Sequence, residues 1–176
     1  MEKDKIVEEL KKIVGSEHVT DEDFATIAVS GNLFFSSVLK EPKIVPPDVI
    51  VRPQNTAHVS KILKFANENK IPVIPAGSKQ VISITKSGVM LDMMDMDKII
   101  SFEEDSLTVT VQAGCTWAKL LTFLEKKGYK LGMLGPHGNQ SASIAAGISL
   151  GSFGIGAAKY GLVVDEMVSM EVVIPS

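Results

Sequence analysis

The sequence is short of several things, and each shortage narrows what the protein can be. It has one cysteine, Cys115, which excludes an intramolecular disulfide framework and leads us to expect a reducing, cytoplasmic setting. One Trp, two Tyr and seven Phe stand against eight Met, so an aliphatic, adaptable core is expected. Neither sign of charge dominates: 18 Lys and Arg against 21 Asp and Glu leave −3, with no electrostatic footprint for nucleic acid or an anionic membrane. No apolar run reaches transmembrane length, and the charged start "MEKDKIVEELKKIVG" has no signal-peptide core, so no integral membrane segment is expected. There is no G-x-x-x-x-G-K-[ST] phosphate loop, no zinc-ligand constellation and no Ser/His/Asp set. What remains is a 176-residue chain, 45% hydrophobic and 22% charged, sized for one or two globular domains.

The periodicities are mixed. Ile6, Val7, Leu10, Ile13 and Val14 recur at helical spacing, with Gly15 placed to stop the helix. Thr20 followed by Asp23 reads as a capping box before a second short helix. Pro42, Pro46 and Pro47 punctuate the chain, giving an expected boundary between a helical lead, 1–45, and a main domain, 46–176. A strand at Val49–Val51, a helix capped by Asn55 or Thr56 with Val59, Ile62, Leu63 and Ala66 buried, and a strand at Ile71–Ile74 read as a βαβ unit with parallel strands. "VMLDM" and "IISFEEDSLTVTVQAG" supply further strands. In the second, Leu107, Val109 and Val111 alternate with polar residues, and a turn at 103–106 suggests a hairpin. Thr116 caps a helix on Trp117, Leu120, Leu121 and Leu124, and a last strand is expected at Met167–Ile174.

Two small-residue segments stand out as places where a ligand could approach backbone N–H groups. One is "PAGSKQ", which ends the apolar run at Ile71–Ile74. The other is Gly135–Gly161, which holds seven of the 14 glycines. Either segment is also explained as ordinary turns. The glycine spacing in "GSFGIGAAKYG" follows a predicted helix rather than a strand, so it does not meet the context of a dinucleotide fingerprint. Asp92, Asp95 and Asp97 in "MLDMMDMDK" are better explained by a strand end and turn than by a metal loop. Cys115 reads as a small buried thiol, His137 as an exposed loop residue, and His18 and His58 as surface residues.

From Pro46 to Pro175 the order of these blocks, "PPDVIVRPQNTAHVSKILKFANENKIPVIPAGS", "GVMLDMMDMDKIISFEEDSLTVTVQAGCTWAKLLTFLEKKGYKLGMLGP" and "SIAAGISLGSFGIGAAKYGLVVDEMVSMEVVIP", resembles the FAD-binding domain of the FAD-linked oxidases. These are the vanillyl-alcohol oxidase type, including glycolate oxidase and D-lactate dehydrogenase subunits. The resemblance implies an α+β fold with a small parallel βαβ element, a mainly antiparallel sheet and flanking helices. It also implies FAD as cofactor. The implied cofactor-binding residues are Pro75, Ala76, Gly77, Ser78, Lys79 and Gln80 in the first segment. In the second they are Pro136, His137, Gly138, Ser143, Ile144, Ala146, Gly147, Gly154, Tyr160 and Gly161.

The first segment departs from the family's usual Pro-Arg-Gly-Gly-Gly-Thr-Ser. Ala76 stands for the arginine, and Ser78, Lys79 and Gln80 stand for Gly, Gly and Thr. Ser78 and Gln80 offer side-chain hydrogen bonds instead, and Lys79 offers charge. The first loop has no histidine, so non-covalent FAD is implied. In the family, further strands and a substrate cap follow the strand ending "VVIP". The resemblance therefore implies no catalytic residue in this chain, and completion by a second polypeptide or a homo-oligomer. The leading expectation is the FAD-binding portion of a flavin-dependent 2-hydroxyacid dehydrogenase or oxidase. One alternative is a non-catalytic relative that has lost the flavin and serves as an assembly module; a weaker one is a cradle for another nucleotide or anion.

Overall fold

The computed structural model describes residues 2–30, 45–79, 86–133, 135 and 140–175. They fall into two compact units. One comprises the residues up to Asp95 together with the stretch from Val172; the other is Met96–Glu171.

The first unit is built on α1 (Lys3–Val14), β1 (Val19–Thr20), α2 (Asp23–Ser30), β2 (Val49–Val51), α3 (Thr56–Glu68), β3 (Val73–Ala76) and β4 (Val89–Asp92). The amphipathic pattern of α1 buries Ile6, Val7, Leu10 and Val14 against α3 and the adjoining strands. Thr20 lies in β1 instead of capping α2. Asn55 caps α3, its side chain accepting from His58 N at 2.9 Å, and Val59, Ile62 and Ala66 form the buried stripe.

The sheet order is β1-β2-β4-β3, with β2 and β3 each parallel to β4 and β1 antiparallel to β2. The expected parallel strands are present, but β2 and β3 are not neighbours, because β4 is inserted between them. Side-chain chemistry explains the choice. Every residue of β2 and β4 is buried, as a strand covered on both faces requires. β3 carries Pro75, which cannot donate to a ladder and is tolerated at the edge that β3 occupies among the described residues. Truncating a fully buried side chain such as Leu10 or Ile62 to alanine would cost about 2–5 kcal/mol.

The second unit starts with the hairpin β5 (Ile99–Glu103) and β6 (Thr108–Val111), paired antiparallel. Leu107 lies outside β6, 68% exposed in the turn with φ +53°, so the inward alternation begins at Val109. Then come α4 (Trp117–Lys126), α5 (Ile144–Ser149) and α6 (Ala157–Tyr160). Thr116 caps α4, accepting from Lys119 N at 3.3 Å. Cys115, Trp117, Leu120, Leu124, Met133, Ala142, Ile144 and Val163 make the core of this unit, with Phe102, Val109 and Tyr129 packed against it.

The strand expected at Met167–Ile174 does not form. A 3₁₀ turn at Val163–Glu166 precedes it, and the following stretch pairs with no strand among the described residues. The alternation is in the sequence: Val168, Met170, Val172 and Ile174 recur at every second position, and each is 56–81% exposed. The pattern of a strand is present without a ladder to satisfy it.

Candidate functional site

In the first unit the register lines up three strand ends. Ala76 is opposite Asp92, and Val51 opposite Leu91, so Asp92 and Ala76 end β4 and β3 side by side, with Arg52 directly after the end of β2. Pro75 and Ala76 close β3 and are not loop residues; Ala76 is buried, 5% exposed. The chain bends through Gly77, Ser78 and Lys79, and Gln80 lies outside the described residues.

Lys79 takes a left-handed φ of +58°, a conformation that costs an L-residue roughly 1–2 kcal/mol. What offsets that cost is an ion pair. Lys79 Nζ donates to Asp92 Oδ2 at 2.8 Å and lies 3.5 Å from Gly77 O. The Asp92 side chain is 4% exposed, accepts also from Met94 N at 3.2 Å, and has Arg52 Nε at 3.5 Å. A buried carboxylate needs such partners, since an uncompensated charge there is costly. The charge that the sequence offers at Lys79 is therefore engaged within the unit.

In the second unit, Gln140–Ile144 runs back along Cys115–Ala118. Trp117 N donates to Ala142 O at 3.1 Å, Ala118 N to Gln140 O at 2.7 Å and Ile144 N to Cys115 O at 2.8 Å, around an isolated bridge between Thr116 and Ser143. This clamp sets Ser143, 1% exposed, at the N-cap of α5. An N-cap serine ordinarily accepts from the first turn. Here it makes no such bond, and Ser143 Oγ is buried with no hydrogen-bond partner. Trp117 Nε1 is in the same state. Each such atom costs about 1–3 kcal/mol unless something supplies an acceptor.

Gly147, one turn along α5, lies beside the indole. A Cβ at that position would be 3.5 Å from Trp117 Nε1, an ordinary contact, whereas one at Gly135 would press to 3.1 Å on Cγ. Ile144 and Gly147 are buried and Ala146 is partly buried in α5. Gly154 O accepts from Ala157 N at 3.2 Å, at the start of α6. Tyr160 is 45% exposed at the end of α6. Gly161, φ +87°, has a local reason to be glycine: a Cβ would stand 2.5 Å from Asp165 Oδ2, which accepts from Leu162 N at 2.7 Å. Pro136, His137 and Gly138 lie outside the described residues.

The remaining candidates are engaged elsewhere. Asp95 accepts from Gln54 Nε2 at 3.2 Å, and Asp97 from Lys119 Nζ at 2.7 Å. Among the described residues no three His, Cys, Asp or Glu side chains gather as a metal site. Cys115 is fully buried, and burial pushes its thiol pKa up. No helix among the described residues is long and apolar enough to cross a membrane. Sequence reasoning did not weigh Arg52 or the Asp92 carboxylate as part of this region. The available signal was a polar residue directly after each apolar triplet, "VIV-R" and "VML-D", at the end where parallel strands present ligand sites.

In the second unit two buried donors, Ser143 Oγ and Trp117 Nε1, lack acceptors of the kind an oxygen-rich cofactor supplies; in the first, Lys79 is bonded to Asp92 and Arg52 meets the same carboxylate at 3.5 Å. Comparison with known proteins agrees. The FAD binding domain family matches residues 47–176. The glycolate oxidase subunit GlcD of Bacillus subtilis is 28% identical over 96% of this chain and 35% of its own length. The D-lactate dehydrogenase of Anaerostipes hadrus is 33% identical over 74% of this chain and 28% of its own. The chain thus spans about a third of the length of these relatives. Among solved structures, alkyldihydroxyacetonephosphate synthase superposes with a TM-score of 0.86 at 24% identity, covering 99% of this chain and 37% of that one. p-Cresol methylhydroxylase superposes at 0.67 with 19% identity, over 84% and 29%. The mixed fold, with its parallel-containing sheet and antiparallel hairpin, is the one these solved structures share, and the chain belongs to the FAD binding domain family.

Proposed function

We propose that this chain is the FAD-binding portion of a flavin-dependent 2-hydroxyacid dehydrogenase or oxidase acting on a glycolate- or D-lactate-like substrate. The observation that carries it is the family match over residues 47–176 together with the glycolate oxidase and D-lactate dehydrogenase relatives. When bound, FAD would supply the hydride-accepting chemistry; the chain supplies binding and orientation.

In the first segment Pro75, Ala76, Gly77, Ser78, Lys79 and Gln80 would border the cofactor's diphosphate. Ser78 and backbone N–H groups would act as donors, and Lys79 would hold the bend through Asp92. In the second segment Pro136, His137, Gly138, Ser143, Ile144, Ala146 and Gly147 would line the cofactor, with Ser143 Oγ and Trp117 Nε1 gaining acceptors. Gly154, Tyr160 and Gly161 would complete that set. Because the relatives are about three times longer, we assign substrate handling and proton removal to a further segment or to a partner polypeptide. The cytoplasm is the compartment that a single buried thiol favours.

A second reading is favoured by one observation: the Lys79 ammonium is consumed by Asp92. A relative with that lock, and without flavin, would serve as an assembly module. The two readings separate on purification from the native source. The flavoprotein reading expects yellow protein accompanied by the polypeptide that completes it. Colourless protein unchanged in thermal stability by added FAD supports the module.

A further inference from the structure

We infer that Arg52, oriented by Asp92, is an oxyanion receptor at the carboxyl edge of the parallel strands, contacting the diphosphate of the dinucleotide. This deepens the flavin-binding reading and rests on it for the identity of the ligand.

The register puts Arg52 level with Asp92 at the ends of adjacent parallel strands, the edge at which open α/β sheets receive ligands. Two cations share the one carboxylate, since Asp92 Oδ2 has Lys79 Nζ at 2.8 Å and Arg52 Nε at 3.5 Å. The two are not equivalent. The Lys79 side chain is 23% exposed and its ammonium is bonded; the Arg52 side chain is 46% exposed and meets the carboxylate through Nε alone. Nε engagement leaves the two terminal nitrogens of the guanidinium as a free fork among the described residues. That fork matches a phosphate in two parallel hydrogen bonds, which an ammonium cannot reproduce. The nearby Asp95 carboxylate does not cancel it by contact, since its partners are Gln54 and His18. The Arg52 backbone is fixed as well, N donating to His18 O at 2.9 Å. Arg52 is thus a binding residue, Asp92 its positioning residue, and Lys79 the group that neutralises Asp92.

The test uses the full chain and three probes, FAD, inorganic pyrophosphate and riboflavin, followed by calorimetric titration of wild type, Arg52→Gln and Arg52→Lys. Unliganded melting temperatures serve as the folding control. The expected result is that Arg52→Gln weakens FAD and pyrophosphate about tenfold, leaving riboflavin and the unliganded melt unchanged. Arg52→Lys should fall in between, because charge survives and the fork does not. FAD binding equal to wild type in both variants overturns the inference and leaves the flavin reading standing. Wild-type chain that binds pyrophosphate but not FAD, with Arg52→Gln losing the pyrophosphate, supports the receptor and removes the flavin reading. If Arg52→Gln does not fold, Arg52→Lys carries the test alone, and wild-type affinity in it overturns the inference.

Discussion

Lys79 and Asp92 meet at 2.8 Å, joining a left-handed loop residue to a buried carboxylate at the end of β4. The pair explains how a bend can tolerate lysine where glycine is the easier residue. The backbone strain is local, and the compensation comes from a charge 13 residues away in sequence.

Lys79→Gly relieves the left-handed strain but leaves Asp92 with Met94 N and the longer Arg52 contact. Breaking a buried pair outweighs the relief, so the net loss expected is about 1–3 kcal/mol in urea denaturation. Asp92→Asn in the Lys79→Gly background should cost less than in wild type, because the charge it removes is then poorly paired. A Lys79→Gly chain as stable as wild type would show that the ion pair contributes nothing.

Gly147→Ala and Gly135→Ala separate packing from cofactor approach. At 147 the new methyl makes an ordinary contact with the indole inside a helix, so the unliganded chain should be unchanged or stabilised by up to about 1 kcal/mol. At 135 the φ of +29° and the 3.1 Å approach to Trp117 should cost about 1–3 kcal/mol. If Gly147 borders FAD, its alanine variant pairs normal melting with several-fold weaker FAD binding. Unaltered affinity would remove Gly147 from the cofactor set.

Cys115 gives a pH prediction. Burial raises the thiol pKa in the folded chain, so the folded state keeps a proton that the unfolded state gives up. Its contribution is complete below the ordinary thiol range and declines as pH rises through that range toward the folded pKa. The urea midpoint of wild type should therefore fall more steeply above about pH 8.5 than that of Cys115→Ala. The native thiol should resist alkylation that the unfolded chain undergoes readily. Parallel pH curves for the two proteins would contradict this.

Much of this architecture was legible where a pattern depended on local chemistry. The stripe of α1, the Asn55 and Thr116 caps and the β5–β6 hairpin follow from periodicity and turn residues. The insertion of β4 between β2 and β3 was not, because strand order depends on which strand can bear burial on both faces and which carries a proline. The Met167–Ile174 stretch shows the reverse limit: alternation declares a strand, while pairing depends on a partner that the pattern does not specify. At the candidate site, the small-residue segments were readable as composition. The Arg52–Asp92–Lys79 grouping was not, since its members are brought together only by sheet register. The orphaned Trp117 and Ser143 donors likewise arise from the clamp between two backbone segments, which no spacing rule encodes.

Equilibrium dialysis of the full chain against FAD, read by the flavin's own absorbance, tests FAD binding most directly. The expected result is saturable retention of one FAD per chain without covalent attachment, released by denaturation and weakened in Arg52→Gln. FAD equally distributed across the membrane at every concentration, with a folded chain confirmed by its melting transition, would contradict it.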